Sequence, residues 1–189
     1  QGEVVHGFDL RPSHDKSQKT FLGEITDGEA LLDALKLICP DLIFHLAGLL
    51  KSNNARDFYM SNTLGTVSLL ESVIKSGLNP RVIIASSSAV YGIGSGEKPI
   101  SERVHPEPVT HYAASKLAQE IVAIHYFSAF DLPVINVRTF NLLGPGLSVD
   151  MAPSSFAKQI ALAEKHGGPA RIFTGDLKAR RDYLDVRDA

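Results

Sequence analysis

Tyr112 and Lys116 lie four residues apart in the segment His111–Phe130, where apolar residues recur with a helical period. Residues four apart on a helix share a face and lie about one turn from each other. A phenol has an ordinary pKa near ~10 and is a weak base at neutral pH, but a nearby cation favours its ionised form. The pair therefore suits proton transfer from a hydroxyl group or to a ketone oxygen. An amphipathic helix with a solvated lysine is the alternative explanation of the same spacing.

Three consecutive serines follow the apolar run at residues 82–85. A serine hydroxyl at the end of such a strand can donate to a substrate oxygen on which negative charge develops. A polar turn is the alternative explanation, although turns usually contain Gly or Pro and this segment contains neither. Since Tyr112 and Lys116 follow after one loop, the serines favour a catalytic interpretation of the pair.

Short apolar runs alternate with segments of helical period along the chain. We expect strands at residues 4–8, 41–46, 82–85, 133–138 and 171–173. We expect helices at residues 29–38, 56–76, 111–130 and 153–166. Strands this apolar are expected to be buried on both faces, and helical connections of this length make them parallel. The sequence therefore predicts an α/β fold with a doubly wound, Rossmann-like parallel sheet.

Small or polar residues follow four of these strands, where a doubly wound sheet binds its ligands. The positions are Asp9, Ala47 with Gly48, residues 86–88 and residues 139–141. We expect Asp9 to accept hydrogen bonds from an adenosine ribose and so to favour NAD. Arg11 could instead bind the 2′-phosphate of NADP. The alternative explanation of Asp9 is that it is a simple turn residue.

Composition and net charge limit the kinds of molecule that the protein is expected to bind. The 189 residues are 44% hydrophobic and carry a formal net charge of -2, whereas a nucleic-acid binder normally presents a basic face. The small basic group Lys178, Arg180 and Arg181 suits an anionic small molecule better than a polyanion. We therefore expect a small-molecule partner and no nucleic acid.

The single cysteine, Cys39, cannot form an internal disulfide, and a reducing cytoplasm is the expected compartment. No apolar run approaches the length of a membrane span, so we expect no membrane association. The seven histidines are dispersed, and none pairs with another at ligand spacing beside a carboxylate. We therefore expect no metal site.

A phosphate-binding glycine loop is expected before the strand that ends at Asp9, but the sequence does not contain one there. The glycines of residues 92–96 run into Glu97 and Lys98 rather than into a helix, so no helix N-terminus would face a pyrophosphate. The chain also begins at Gln1 rather than Met. We therefore expect it to be a fragment of a longer protein.

An ordered series of motifs resembles the extended short-chain dehydrogenase/reductases, the NAD-dependent epimerase/dehydratase family. The motifs occupy residues 5–9, 40–48, 62–66, 86–92, 112–116, 138–146 and 181–188. They occur in family order and cover nearly the whole chain. A Tyr and Lys four apart is a weak signal by itself, whereas the ordered series is specific.

The resemblance implies roles for individual residues. It places Ser87, Tyr112 and Lys116 in the catalytic set. The implied cofactor-binding residues are Asp9, Arg11, Glu24, Ile25, Ala47, Gly48, Asn62, Tyr112 and Lys116. The implied substrate-binding residues are Ser88, Asn141 and Arg181, the last two at the diphosphate and nucleotide of the substrate.

The resemblance also narrows the reaction. Ala89 stands where sugar 4,6-dehydratases typically carry Glu, which disfavours dehydration. The last third of the chain is most similar to the GDP-mannose branch, which implies NAD(P)-dependent reduction of a C4 keto group on a GDP-linked 4-keto-6-deoxy sugar. A nucleotide-sugar 4-epimerase is the alternative. A non-catalytic module that senses a dinucleotide is the alternative from another class, because the glycine loop is missing.

Family members are often homodimers joined by a four-helix interface, which the resemblance places on residues 56–76 and 111–130. Leu69, Leu70, Ile121 and Ile124 could serve that contact or the monomer core. We expect residues 1–145 to form the NAD(P)-binding domain and residues 146–189 to begin a smaller substrate-binding region.

Overall fold

The computed structural model describes residues 4–93, 99–167 and 171–189. The chain divides into two compact units, one ending at Thr139 and one beginning at Phe140. The boundary that the sequence predicts, after residue 145, falls just inside the second unit. Most of the glycine-rich segment 92–96 lies outside the described residues.

The first unit contains five described strands. They are β1 (His6–Asp9), β2 (Lys19–Leu22), β3 (Leu42–His45), β4 (Arg81–Ala85) and β5 (Val134–Val137). β1 pairs with β2, and β3, β4 and β5 form a second sheet in that order. Every one of these pairings is parallel, which confirms the α/β class with parallel strands. β2 was not predicted from the sequence.

Polar side chains cap three of the four α-helices that the structure describes in this unit. The four are α1 (Gly28–Ile38), α2 (Ala55–Phe58), α3 (Gly65–Ser76) and α4 (His111–Phe130). Asp27 caps α1 by accepting a hydrogen bond from Ala30 N. The helix predicted at residues 56–76 is present, but a π-helical segment, Tyr59–Leu64, joins α2 to α3.

One face of the three-stranded sheet carries the core. α1, α3 and α4 supply buried side chains that pack with Val82 and Ile84 of β4. The other face of the sheet is exposed, with Phe44 59% and Ile135 48% accessible. The prediction that these strands are buried on both faces is therefore wrong for the described structure. The physical reason is that all three helices contribute to a single core on one side.

The second unit contains β6 (Asn141–Leu143), α5 (Ala152–His166) and β7 (Tyr183–Asp185), with β6 and β7 parallel. The strand predicted at residues 171–173 is wrong. Phe173 N donates to Gln159 Oε1 at 2.7 Å, and Gln159 Nε2 donates to Phe173 O at 3.0 Å. The Gln159 amide is thus hydrogen-bonded to the backbone N–H and C=O of Phe173, which a neighbouring strand would otherwise bind. Within the described ranges, no helix combines the length and hydropathy needed to span a bilayer.

Candidate active site

The serines after β4 lie where the strand meets the end of β5. Ser86 N donates to Val137 O at 2.9 Å, and Ser88 N donates to Thr139 O at 2.9 Å. Ser87 Oγ accepts a hydrogen bond from Ala89 N at 3.2 Å and caps a 3₁₀ turn, Ser88–Tyr91. This bond uses the Ser87 oxygen as an acceptor and leaves the hydroxyl proton to be donated.

Tyr112 lies in the first turn of α4 and is half-buried. Thr110 caps this helix by accepting from Ala113 N at 3.1 Å, which fixes where the helix begins. The Tyr112 ring meets the Phe58 ring edge-on, with centroids 6.3 Å apart. His111 is exposed, and its Nδ1 lies 3.3 Å from the Tyr59 hydroxyl.

Lys116 is buried one turn further along α4, with 5% of its surface accessible. Burial lowers the pKa of its ammonium to about 8, and the carboxylate of Glu120 opposes this shift. The alternative of a solvated lysine is therefore wrong. The structure places a weakly acidic cation on the helix face that also carries Tyr112.

Asn62 is fully buried in the π-helical segment and holds two parts of the site. Its Oδ1 accepts from Leu49 N at 2.7 Å, and its Nδ2 donates to Leu49 O at 3.1 Å and to Ser115 Oγ at 2.9 Å. Ser115 Oγ in turn donates to Tyr112 O at 2.7 Å. One amide thus fixes the loop after β3 to the first turn of α4.

Gly48 lies so close to Asn62 that a side chain at this position would not fit without a shift. A Cβ on residue 48 would lie 2.9 Å from Asn62 Oδ1 and 3.8 Å from Lys116 Nζ. The structure therefore brings Gly48, Asn62 and Lys116 together, as the resemblance implies. Ala47, the preceding residue, is half-buried in the same loop.

His45, at the end of β3, belongs to a buried polar network behind Lys116. Its Nε2 lies 2.8 Å from Thr66 Oγ1, which donates its proton to Asn62 O at 2.7 Å and accepts from Gln119 Nε2 at 2.7 Å. Because the Thr66 proton is already used, His45 must carry its proton on Nε2. Burial, assisted by the charge of Lys116, lowers the pKa of His45 to about 4, so the ring is neutral.

Asp9 and Glu24 lie at the carboxyl ends of β1 and β2, and both are exposed. Arg11 N donates to Asp9 Oδ1 at 3.0 Å, which folds the loop back on the strand end. Ile25 packs against α3, where a Cβ on Gly65 would come within 2.6 Å of Ile25 Cγ2. Among the hydrogen bonds of the described residues, none joins Asp9, Arg11 or Glu24 to Lys116.

The implied substrate residues fall in both units. Ser88 is half-buried in the 3₁₀ turn of the first unit. In the second unit, Asn141 Nδ2 donates to Asp182 O at 2.9 Å and so holds β7 beside β6. Arg181 is exposed, and its Nη1 donates to Arg180 O at 2.7 Å. A role for these three residues in binding substrate stays a prediction.

An open groove of about 800 Å³ runs beside Tyr112. It is lined by Leu50, Lys51, Ser52, Asn53, Phe58, Thr110, His111 and Tyr112. Aromatic side chains here provide contact surface, and amide, hydroxyl and cationic groups provide polar contacts that could orient a ligand. In the parts of the chain that the structure describes, no three His, Cys, Asp or Glu residues group as metal ligands would.

Sequence reasoning missed the polar side chains that hold the site, including Ser115, Thr66 and Gln119. A signal was present in α4, where Ser115, Lys116, Gln119 and Glu120 recur on one helix face. The structure buries that polar face and exposes Ile121 and Ile124, at 60% and 57%. Polar side chains buried beside the apolar core residues of α4, with two isoleucines exposed, favour a site on this helix over a plain core contact.

The sequence matches the profile of the NAD dependent epimerase/dehydratase family over residues 1–189. The chain belongs to this family. Among curated relatives, it is 35% identical over 154 residues to GDP-6-deoxy-D-mannose reductase of Pseudomonas aeruginosa, covering 79% of the chain and 51% of the relative. It is 33% identical over 209 residues to UDP-glucuronate 4-epimerase 6 of Arabidopsis thaliana, covering 100% of the chain and 44% of the relative. The chain thus spans about half the length of these family members.

Solved structures of the family agree with the fold. RMD from Pseudomonas aeruginosa complexed with NADPH superposes with a TM-score of 0.83 at 28% identity, over 97% of this chain and 71% of that one. MoeE5 in complex with UDP-glucose and NAD gives a TM-score of 0.80 at 32% identity, over 99% of this chain and 61% of that one. The Rossmann-like family fold is therefore confirmed.

Proposed function

We propose that this chain carries the catalytic part of an NAD(P)-dependent enzyme that reduces the C4 keto group of a GDP-linked 4-keto-6-deoxy sugar. The observation that carries the proposal is the buried Lys116 ammonium, one helical turn from Tyr112, which lines an open groove. The similarity to GDP-6-deoxy-D-mannose reductase supports this reaction among those of the family.

The chain's residues have distinct roles in the proposed reaction. Tyr112 gives its phenolic proton to the C4 oxygen as the ketone becomes an alcohol. Lys116 stabilises the phenolate that remains, because a buried cation interacts strongly with a nearby anion. Ser87, whose oxygen already accepts from Ala89 N, donates a hydrogen bond to the same C4 oxygen and keeps its proton.

The residues present fit a nicotinamide dinucleotide. Gly48 leaves the space beside Asn62 and Lys116 that a side chain would fill, and Ala47 precedes it in the same loop. Lys116 would hold the nicotinamide ribose, and Asp9 the adenosine ribose, with Arg11 beside it for a 2′-phosphate. Glu24 and Ile25 would flank the adenine. The dinucleotide, when bound, supplies hydride to C4.

We propose NAD as the preferred cofactor, with NADP as the alternative. The exposed Asp9 carboxylate suits ribose hydroxyls and opposes a 2′-phosphate. Solved relatives hold NADPH in one case and NAD in another, so the family accommodates both.

A nucleotide-sugar 4-epimerase is the second candidate, because the match to UDP-glucuronate 4-epimerase 6 extends over the whole chain. The same Tyr112, Lys116 and Ser87 would serve it, with Tyr112 acting first as base and then as acid. In either case Ser88, Asn141 and Arg181 are proposed to contact the nucleotide-sugar, the last two at its diphosphate and nucleotide.

A cytoplasmic homodimer is proposed for the assembled enzyme. Leu69 and Leu70 belong to the core, whereas Ile121 and Ile124 are exposed on α4 and remain for the contact between subunits. Sedimentation of the full-length protein tests this. A dimer that Ile124→Glu converts to a monomer supports it, and a monomer in both cases contradicts it.

Turnover of defined nucleotide-sugars tests the function. The full-length protein is incubated with GDP- and UDP-sugars and their 4-keto-6-deoxy forms, with NADH or NADPH to test reduction and with NAD to test epimerisation, and products are identified by mass spectrometry and NMR. Oxidation of the cofactor with formation of a GDP-6-deoxy sugar supports the reductase. Interconversion of C4 epimers without net cofactor oxidation supports the epimerase instead. Dinucleotide binding without any sugar turnover contradicts both and favours a sensing module.

A further inference from the structure

Glu120 carries a buried carboxylate, 3% accessible, at the junction of three elements. It lies on α4, accepts a hydrogen bond from Ser86 Oγ at the end of β4, and pairs with Arg138 at the end of β5. Arg138 Nε lies 2.9 Å from Oε1 and 3.1 Å from Oε2, and Nη2 donates to Oε2 at 2.7 Å. The carboxylate is thus held from two strands at once.

Arg138 is itself fixed by further contacts. Its guanidinium lies over the Tyr91 ring, 4.8 Å from the centroid, and its Nη1 donates to Glu102 O at 3.2 Å. The hydrogen bonds that it donates to Glu120 raise the pKa of this guanidinium, so it keeps its charge. A planar guanidinium bonded along one edge to a carboxylate allows little change of orientation.

The cluster of Glu120, Arg138 and Ser86 adjoins the proposed catalytic residues on two sides. Ser86 directly precedes Ser87 in the chain, and Glu120 lies one turn after Lys116 on the same buried face of α4. A shift of the β4 end relative to α4 would therefore change the separation of Ser87 from Tyr112. No bond within the catalytic set itself fixes that separation among the described hydrogen bonds.

We propose that Glu120, held by Arg138 and Ser86, is a positioning residue for the reaction. It sets the end of β4, which carries Ser87, at a fixed distance from the helix that carries Tyr112 and Lys116. The inference rests on the proposed function, since it concerns the proton donors of that reaction. Glu120 acts through Ser87 and Lys116 and does not itself touch the substrate.

Glu120→Gln tests this inference, because the amide keeps the size of the side chain and still accepts from Ser86, but removes the negative charge and one of the two oxygens that bind Arg138. We expect kcat of the full-length enzyme to fall roughly tenfold to a hundredfold, as a small misplacement of reacting groups does. KM for the sugar should stay within about twofold, because no substrate contact is removed. Glu71→Gln is the matched control, since Glu71 is an exposed helical carboxylate paired with Lys75.

A double variant separates positioning from simple stabilisation. Glu120→Gln with Arg138→Met removes both charges, and neutral replacement of a buried ion pair often restores stability. We expect thermal stability to recover while kcat stays low. Recovery of both stability and kcat would overturn the inference, because the pair would then act only on folding.

Ser86→Ala provides a variant that is expected to fold even if Glu120→Gln does not, since it removes one hydrogen bond and no charge. We expect kcat to fall severalfold with KM unchanged. Full activity of Ser86→Ala, or of Glu120→Gln, in an active enzyme overturns the inference and leaves the proposed function standing. Absence of sugar turnover in the unaltered protein overturns the proposed function, and this inference with it.

Discussion

Asn62 Nδ2 donates to Ser115 Oγ across 2.9 Å, and this bond joins the π-helical segment to the first turns of α4. Ser115 Oγ in turn donates a hydrogen bond to Tyr112 O. Asn62 also accepts a hydrogen bond from Leu49 N and donates one to Leu49 O. The loop that carries Gly48 and the helix that carries Tyr112 and Lys116 therefore share one buried support. The geometry of the proposed site depends on side chains that do no chemistry.

Asn62→Ala should lower the free energy of unfolding by about 2–4 kcal/mol, because three hydrogen bonds disappear and buried backbone groups lose their partner. Urea unfolding of the full-length protein measures this. Asn79→Ala, at an exposed asparagine, is the matched control and should change stability by less than about 0.5 kcal/mol. Equal losses in the two variants would show that Asn62 is not a structural support.

His45 should make the protein lose stability in mild acid. Its pKa is about 4 in the folded protein, below the ordinary 6.5, so the unfolded chain binds more protons between these values. The contribution is present above pH 6.5 and is lost as the pH falls toward 4, by about 3 kcal/mol at most.

His45→Gln keeps a hydrogen-bond donor and removes this titration, so its stability should change less between these pH values. Denaturant unfolding across the range compares it with the unaltered protein and with His14→Gln, at an exposed histidine. An unchanged acid dependence in His45→Gln would contradict the buried neutral imidazole.

Lys116 should set the basic limit of turnover. Its pKa is lowered to about 8 by burial, so the ammonium loses its charge as the pH rises through that value. The rate of ketone reduction should decline above about pH 8, and Lys116→Arg should move the decline upward because arginine keeps its charge. Profiles of kcat against pH measure this, and the same decline in both proteins would assign it to another group.

Asp9 should set the choice between NAD and NADP. Asp9→Asn removes the charge that opposes a 2′-phosphate, so the preference for NAD should fall about tenfold. Arg11→Ala is the complementary change and should weaken NADP alone. The ratio of kcat/KM for the two cofactors is the measurement. A preference that neither substitution alters would place the adenosine ribose elsewhere.

The parallel α/β class could be predicted from the sequence because short apolar runs that alternate with helical connectors restrict the topology strongly. β2 escaped prediction, because its four residues, Lys19–Leu22, include a lysine and a threonine and lie in a polar region. The false strand at residues 171–173 has suitable residues, but Gln159 occupies its backbone groups, and no local pattern could indicate that.

The chemistry-bearing residues of the proposed site could be named from motifs, whereas their supports could not. Asn62 and Ser115 lie 53 residues apart in the chain, and Glu120 and Arg138 lie 18 apart. Each is an ordinary polar residue whose partner depends on how helices and strands pack. The structure shows these pairs through the burial of the polar face of α4, to which Asn62 and Arg138 are bonded.

Tyr112→Phe tests the central claim most directly, because it removes one hydroxyl and leaves the ring contact with Phe58 in place. The full-length variant is assayed for sugar turnover, with dinucleotide binding and thermal unfolding measured in parallel. We predict that kcat falls by roughly two to four orders of magnitude while cofactor binding and stability are retained. Turnover equal to that of the unaltered enzyme would contradict the account.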